Sequence, residues 1–363
     1  MRIAQIAPLD ESVPPKFYGG TERIVSYLTE ELVAQGHHVC LFASADSQTS
    51  ARLVPCCETA YRLNQSVSNS LPRRLMMLKD LLDRAAEFDV MHFHADLLHL
   101  PIVPSLDCAT VTTLHCRLDE PELALLYRTF PDAPLVSISR AQRVLMPEAS
   151  WVGTVYHGIP DDRRAVRRGS GQGYLAFLGR ICPEKRPDRA IEIANRCKIG
   201  LKIAAKVDRA DKDYWSDRIK PMVDASPFVE FVGEIDEIQK ATFLGEARAL
   251  LFPIDWPEPF GLAMIEAMAS GTPVIAWRAG SVPEVIDEGI SGFIVSSLED
   301  AVEAVGRLPS LPRRSVRASF ERRFTAARMA RDYVRIYQEL TPRVRAPATG
   351  LFAHGQSRVP GRP

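Results

Sequence analysis

Two glutamates stand eight positions apart in the run Glu258-Pro259-Phe260-Gly261-Leu262-Ala263-Met264-Ile265-Glu266. Ile254-Asp255-Trp256-Pro257 precedes them, and Ala267-Met268-Ala269-Ser270-Gly271-Thr272-Pro273-Val274-Ile275 follows. The pattern reads as a strand end, a turn, a short helix, a glycine cap and a new strand. Glu258 falls before the helix and Glu266 about two turns inside it. Backbone N–H groups at Gly261 and Leu262 have no carbonyl one turn earlier to bond, so a helix start of this kind attracts anions. A carboxylate beside a phosphate site disfavours phosphate but suits sugar hydroxyls. The combination points to a phosphorylated sugar, with Glu258 on the sugar and Glu266 deeper, on a ribose.

Further chemistry-bearing residues cluster elsewhere. In Gly179-Arg180-Ile181-Cys182-Pro183-Glu184-Lys185-Arg186-Pro187, Arg180 and Lys185 lie on a strand-to-helix loop. Alone this is a solvated basic loop; beside the Glu258–Glu266 segment it suits a diphosphate whose leaving group gains negative charge. Gly19-Gly20, ahead of the first helix, allows close backbone approach to a ligand or makes a plain tight turn; no third glycine completes a dinucleotide fingerprint. His115 ends an apolar strand, where an imidazole can bond a sugar or steady charge, or serve the core. His92, His94 and His99 are close in sequence, but strand alternation puts only His92 and His94 on one face, and no cysteine or acid completes a zinc spacing. Asp96 is a candidate acceptor-side carboxylate. Asp211-Lys212-Asp213 formally matches a metal-holding Asp-x-Asp, but it sits in a charged stretch with no strand leading into it and reads as a solvated loop.

These residues need scaffolding from two successive strand–helix alternations. The first opens with a strand at Arg2–Ala7, a Pro- and Gly-rich loop, a helix with Ile24, Leu28, Leu32 and Val33 at helical spacing, and a strand at Val39–Ala43. Strand, helix, strand at this spacing is a right-handed unit of a parallel sheet. More strands are expected at 90–94, 110–114, 135–138 and 151–155. A basic, Gly-containing stretch at 163–173 reads as the linker. The second alternation has strands at 174–179, 201–205, 229–232, 249–253, 274–276 and 292–295, and a helix at 188–196. Doubly wound halves place ligands between them, at the carboxyl ends of the strands. A last helix is expected from about 325 to 340, and 341–363, rich in Pro, Gly and Arg, reads as a disordered tail. Leu75, Met76, Leu78, Leu81 and Leu82 with Arg73, Arg74 and Lys79 form a helix packed on the first sheet, in preference to a basic membrane-surface helix.

Bulk properties narrow the classes. The 363 residues suffice for two domains, and 46% hydrophobic with 25% charged residues describes a soluble globular chain. Formal net charge is zero, so no global field favours nucleic acid. Neither a signal peptide nor an apolar run of membrane-span length is evident. Seven cysteines without a CxxC pair are expected as reduced core thiols of a cytoplasmic protein.

Together these residues resemble the retaining glycosyltransferases of family 4, over about residues 1 to 340. The markers are Gly19-Gly20, the His115 strand end, Gly179-Arg180 with Lys185, and the Glu258–Glu266 segment with its continuation. Val13-Pro14-Pro15-Lys16-Phe17-Tyr18-Gly19-Gly20 and Gly280-Ser281-Val282-Pro283-Glu284-Val285 look like a bacterial branch that includes pterin glucosyltransferases. The resemblance implies the α/β GT-B fold, two Rossmann-like doubly wound domains facing across a cleft: an acceptor-side domain at 1–165 and a nucleotide-sugar domain at 166–340. It implies a nucleotide-sugar donor, most often UDP-linked, with no metal and no cofactor. By position, Arg180 and Lys185 would hold the diphosphate and Glu258 the hydroxyls of the transferred hexose. Phe260, Gly261 and Leu262 would offer N–H groups, Glu266 would bind the ribose, and Ile235 would lie against the base. Gly20 would lie against the phosphates and His115 would contact the sugar. Arg186 departs from the glycine many relatives carry after the lysine, which leaves the local backbone open.

Retention needs either a covalent intermediate or same-face attack; no well-placed nucleophile is evident, and the resemblance implies same-face attack, with the leaving phosphate accepting the acceptor's proton. In that scheme Arg180→Ala or Lys185→Ala is expected to cost roughly two or more orders of magnitude in transfer with the fold intact. A UDP-sugar 2-epimerase and a non-catalytic sugar-nucleotide-binding subunit are the competing classes. The Glu258–Glu266 segment argues against the first, and four intact charged site residues argue against the second. The acceptor, whether small molecule, lipid or glycan, is set by loops at 9–18 and 44–72, which carry no readable code.

Overall fold

The computed structural model describes residues 1–16, 19–64, 69–95, 97–161 and 173–344. The apolar runs form two all-parallel sheets. In the first lobe the strands are β1 Arg2–Ile6, β2 His38–Ser44, β3 Arg52–Cys57, β4 Val90–Phe93, β5 Ala109–Leu114, β6 Leu135–Ser137 and β7 Trp151–Thr154, in the order β3-β2-β1-β4-β5-β6-β7. In the second they are β8 Leu175–Arg180, β9 Leu201–Lys206, β10 Val229–Gly233, β11 Ala249–Phe252, β12 Val274–Trp277 and β13 Gly292–Val295, in the order β10-β9-β8-β11-β12-β13. β4, β5, β11 and β12 are buried along their whole length, as strands covered on both faces by helices must be.

Strand order reverses beside β1 in one sheet and beside β8 in the other. Ligand crevices open at such switch points, outside the carboxyl ends of the strands. β1 pairs with β4 at Gln5–His92, and β4 with β5 at His92–Val111. This register sets the expected histidines beside Gln5, a neighbour that the sequence did not announce.

The helix Leu71–Arg84 buries Met77, Leu78 and Leu81 against the first lobe, so it packs as expected, but Leu75 and Met76 of the expected apolar set face solvent and Met77 takes their place. β3 is an addition: it lies in the stretch read as an acceptor loop, because Arg52 and Pro55 break its apolar pattern. The last described helix, Ala326–Val344, runs past the expected end at residue 340. It does not close the second lobe. Met329, Ala330, Tyr333, Ile336, Tyr337 and Leu340 recur at three- and four-residue spacing and pack on Ile3, Ile24, Val90 and Val111 of the first lobe. Ile159 pairs with Thr325 where the chain leaves and re-enters that lobe. A Cβ on Gly158 would lie 2.3 Å from the Thr325 oxygen, so only glycine allows this close passage. Residues 163–172 of the expected 163–173 linker, the 165/166 boundary and residues 345–363 of the expected tail lie outside the described residues.

The lobes are also clasped through Glu284. Its carboxylate accepts from the N–H groups of Arg140 and Ala141 at 2.8 and 2.7 Å, and from the Tyr156 hydroxyl at 2.8 Å. A second-lobe side chain thus satisfies orphan donors at the start of a first-lobe helical turn.

Candidate functional site

The loop after β11 carries the central carboxylate. Ile254, Glu258 and Phe260 are all buried, and Ser281 fixes the loop by donating its hydroxyl to the Phe260 carbonyl at 2.8 Å and its N–H to the Glu258 carbonyl at 3.0 Å. Gly261 then turns the chain into the helix Leu262–Ala269 with φ +82°. A Cβ there would lie 2.7 Å from Met264 Cε and 3.1 Å from Phe252 Cζ. Glycine is therefore required both by conformation and by space. Among the described residues, the N–H groups of Phe260, Gly261 and Leu262 have no acceptor, the anion-attracting end expected of the helix start.

Arg180 is the last residue of β8, and Lys185 closes the 3₁₀ turn Pro183–Lys185 that follows. Lys185 approaches the Glu258 loop, because the Asp255 N–H bonds the Glu184 carbonyl of the same turn at 2.8 Å. Lys185 forms an ion pair with Glu258 and lies 5.0 Å from the Trp256 ring centroid and 5.3 Å from that of Phe252. Arg180 faces Asp211 at 3.4 Å and Asp208 at 3.8 Å. Asp211, read as part of a solvated loop, is instead a partner of the site arginine. Glu266 accepts from Lys240 at 2.7 Å and lies 3.9 Å from Arg23 of the first lobe. Ile235, half-buried after β10, packs on the second-lobe core. Gly20 starts the first helix, and a Cβ there would lie 3.6 Å from Leu262 Cδ1. The two predicted backbone-approach points thus meet across the cleft.

Arg186 adopts φ 52°, ψ 52°, the left-handed conformation where glycine is at ease. Its guanidinium compensates by bonding Asp188 at 2.9 and 3.0 Å and Asp255 at 2.8 Å. Burial alone would raise the Asp188 carboxyl; the hydrogen bonds and charge of Arg186 override it and hold that carboxyl below its ordinary range.

His115 follows β5 and bonds His94 through Nε2 at 2.9 Å. Its ring stacks on His157 at 5.3 Å, and His157 meets the Phe260 ring edge-on at 4.9 Å. Burial holds the His115 imidazole down to about 3 and those of His92, His94 and His157 well below their ordinary value. His99 stands apart on the other face of the strand, stacked on Phe93. Asp96 lies outside the described residues. Arg117 reaches from the first lobe to stack on Trp256 at 5.2 Å. A shallow recess there is lined by Arg117, Asp119 and Gln142 on one side and Pro257, Glu258 and Gly280 on the other.

Trp256, Lys240, Arg23, Asp208 and Arg117 were not singled out from the sequence. Only Trp256 carried a signal, through its adjacency to Glu258; the others arrive from distant elements. Among the described residues no group of three His, Cys, Asp or Glu could hold a metal, and no helix is long and apolar enough to cross a membrane.

Two family models tile the chain: "Glycosyltransferase Family 4" matches residues 18–166 and "Glycosyl transferases group 1" matches residues 158–322. The chain belongs to the group 1, family 4 glycosyltransferases. Curated relatives of this glycosyltransferase chain include D-inositol 3-phosphate glycosyltransferases of Mycobacterium tuberculosis and Mycobacterium bovis, 32% identical over 167 residues. That match covers 42% of this chain, which spans about a third (34%) of the relatives' length. Among solved structures, sucrose-phosphate synthase from Thermosynechococcus elongatus superposes with a TM-score of 0.75 at 20% identity, covering 94% of this chain and 99% of that one. Anabaena HepE in complex with UDP and glucose gives 0.69 at 18% identity, covering 94% and 100%. These likenesses show the fold: the glycosyltransferase has the two-lobed GT-B architecture.

Proposed function

We propose that this chain moves a hexose from a UDP-linked donor to an acceptor hydroxyl with retention of configuration and without a metal, in a cytoplasmic setting. The observation that supports it most is the gathering of Arg180, Lys185 and Glu258 at the carboxyl ends of β8 and β11, beside the start of the helix Leu262–Ala269. A diphosphate entering there competes with Asp208 and Asp211 for Arg180 and with Glu258 for Lys185. Glu258, freed from the lysine, accepts hydrogen bonds from hexose hydroxyls. The cations and helix-start N–H groups then stabilise the charge that grows on the departing diphosphate. Glu266, steadied by Lys240, takes the ribose hydroxyls, and Ile235 lies against the base. Same-face attack lets the leaving phosphate collect the acceptor's proton, so the protein supplies no nucleophile. The recess beside Arg117 and Glu258 takes the acceptor, whether lipid, glycan or small molecule.

The test is release of UDP from a panel of UDP-hexoses, with and without candidate acceptors, and assignment of the product's anomeric configuration. Acceptor-dependent release with a retained linkage is expected. Binding without release identifies a sugar-nucleotide-binding subunit, release with a 2-epimer product identifies an epimerase, and an inverted linkage removes the same-face mechanism.

A further inference from the structure

Four charged side chains form a ring across the cleft between the lobes. Glu237 opens the second-lobe helix Glu237–Glu246, and Lys240 stands one turn further along the same face. Lys240 Nζ donates to Glu237 Oε1 and to Glu266 Oε1, both at 2.7 Å. The fourth corner comes from the other lobe. Arg23, in the first turn of the helix Gly20–Ala34, forms an ion pair with Glu237 and stands 3.9 Å from Glu266 Oε1. Cation and carboxylate alternate around the ring, so each contact is attractive. Arg23, Lys240 and Glu266 are largely buried and Glu237 is half-exposed, so solvent screens the Glu266 corner least. Both cations meet Glu266 on the same oxygen. Its Oε2 has no donor among the described residues and is not shut off from solvent. The carboxylate is thus held at one oxygen from both lobes and open at the other. Lys240 alone cannot hold it so, because Glu237 draws on the same ammonium.

We propose that Arg23 is a positioning residue for the donor: from the first lobe it fixes Glu266 through Oε1, so that Oε2 accepts from the ribose hydroxyls of the nucleotide. This rests on the sugar-transfer reading of the site, and it makes ribose capture depend on both lobes. Without Arg23 two carboxylates share one ammonium, and Glu266 loses its fixed orientation.

Calorimetric titration of UDP and of 2′,3′-dideoxy-UDP into the wild-type chain and into Arg23→Gln tests it. The two ligands share base and diphosphate, so a general change of charge or of fold moves both affinities together. The wild type is expected to prefer UDP by about tenfold or more, the worth of hydrogen bonds to a charged carboxylate. In Arg23→Gln the affinity for UDP falls toward that for the dideoxy nucleotide, which itself shifts by less than about twofold, so the preference drops to roughly threefold or less. If Arg23→Gln does not fold, Arg23→Lys takes its place: a compact ammonium cannot serve both carboxylates as a guanidinium fork does, so the preference should fall in part. An equal loss for both ligands, or an unchanged preference in the folded variant, overturns the proposal while leaving sugar transfer standing. A wild type that binds the two nucleotides equally well overturns it as well. A wild type that binds neither removes the sugar-transfer reading, and this proposal with it.

Discussion

Lys185 and Glu258 depend on each other in the unliganded chain. Glu258 is only 8% exposed, so removing its lysine strands a buried carboxylate. Lys185→Ala is therefore expected to cost about 3 kcal/mol, the low end for a broken buried pair because Lys185 is itself partly solvated. In thermal unfolding this reads as a fall of roughly 5 °C or more. Pairing it with Glu258→Gln should return most of that stability but no activity. Arg180 differs. Its side chain is more than a third exposed (38%) and its partner Asp208 keeps Lys206 at 2.7 Å, so Arg180→Ala should change stability by about 0.5 kcal/mol or less. The sequence treated both bases alike and expected both substitutions to leave the fold intact; the structure separates them. Equal unfolding temperatures for wild type and Lys185→Ala would contradict the coupled pair.

At the scale of elements, the parallel strands were legible because strands buried on both faces read as short continuous apolar runs between turn residues. β3 was not, because Arg52 and Pro55 interrupt its run at the sheet edge. The helix Leu262–Ala269 was readable from its glycine start and apolar stripe, and so was its place among the site residues. Its polar surroundings were not. Lys240 and Arg23 reach Glu266 from two other helices, and Glu284 caps a turn in the opposite lobe. Such contacts are set by tertiary placement and leave no local pattern. The destination of the last helix was hidden for the same reason. Its apolar periodicity announces a buried face, but not that Tyr333 and Tyr337 would meet His92, Thr113 and Gln5 more than two hundred residues away in sequence.

Across the whole molecule, the buried imidazoles make stability depend on pH. His92, His94, His115 and His157 stay neutral when folded because burial depresses them all, whereas in the unfolded chain they titrate near 6.5. Below about pH 6.5 the unfolded chain binds more protons, so stability falls as pH falls, by about 1.4 kcal/mol per unit for each histidine. Glu22 works against this in part. Burial raises its carboxyl to about 7, so the folded chain holds one extra proton from about pH 4.5 to 7 and that contribution is lost as pH rises. One proton offsets a minority of four, so unfolding temperature should peak near neutrality and drop steeply from about pH 6.5 to 5. An unfolding temperature flat across that range would show that the histidines are not held neutral.

The whole proposed reaction requires a diphosphate gripped between the lobes by Arg180, Lys185 and the N–H groups at Gly261 and Leu262. Calorimetric titration of UDP into the wild-type chain and into Arg180→Ala, in buffer with a metal chelator, tests it most directly. The expected result is one UDP per chain, bound without metal, and affinity weakened by about tenfold or more in the variant through loss of a charge-assisted hydrogen bond. A wild-type chain that takes up no UDP, or one whose affinity Arg180→Ala leaves unchanged, would contradict it.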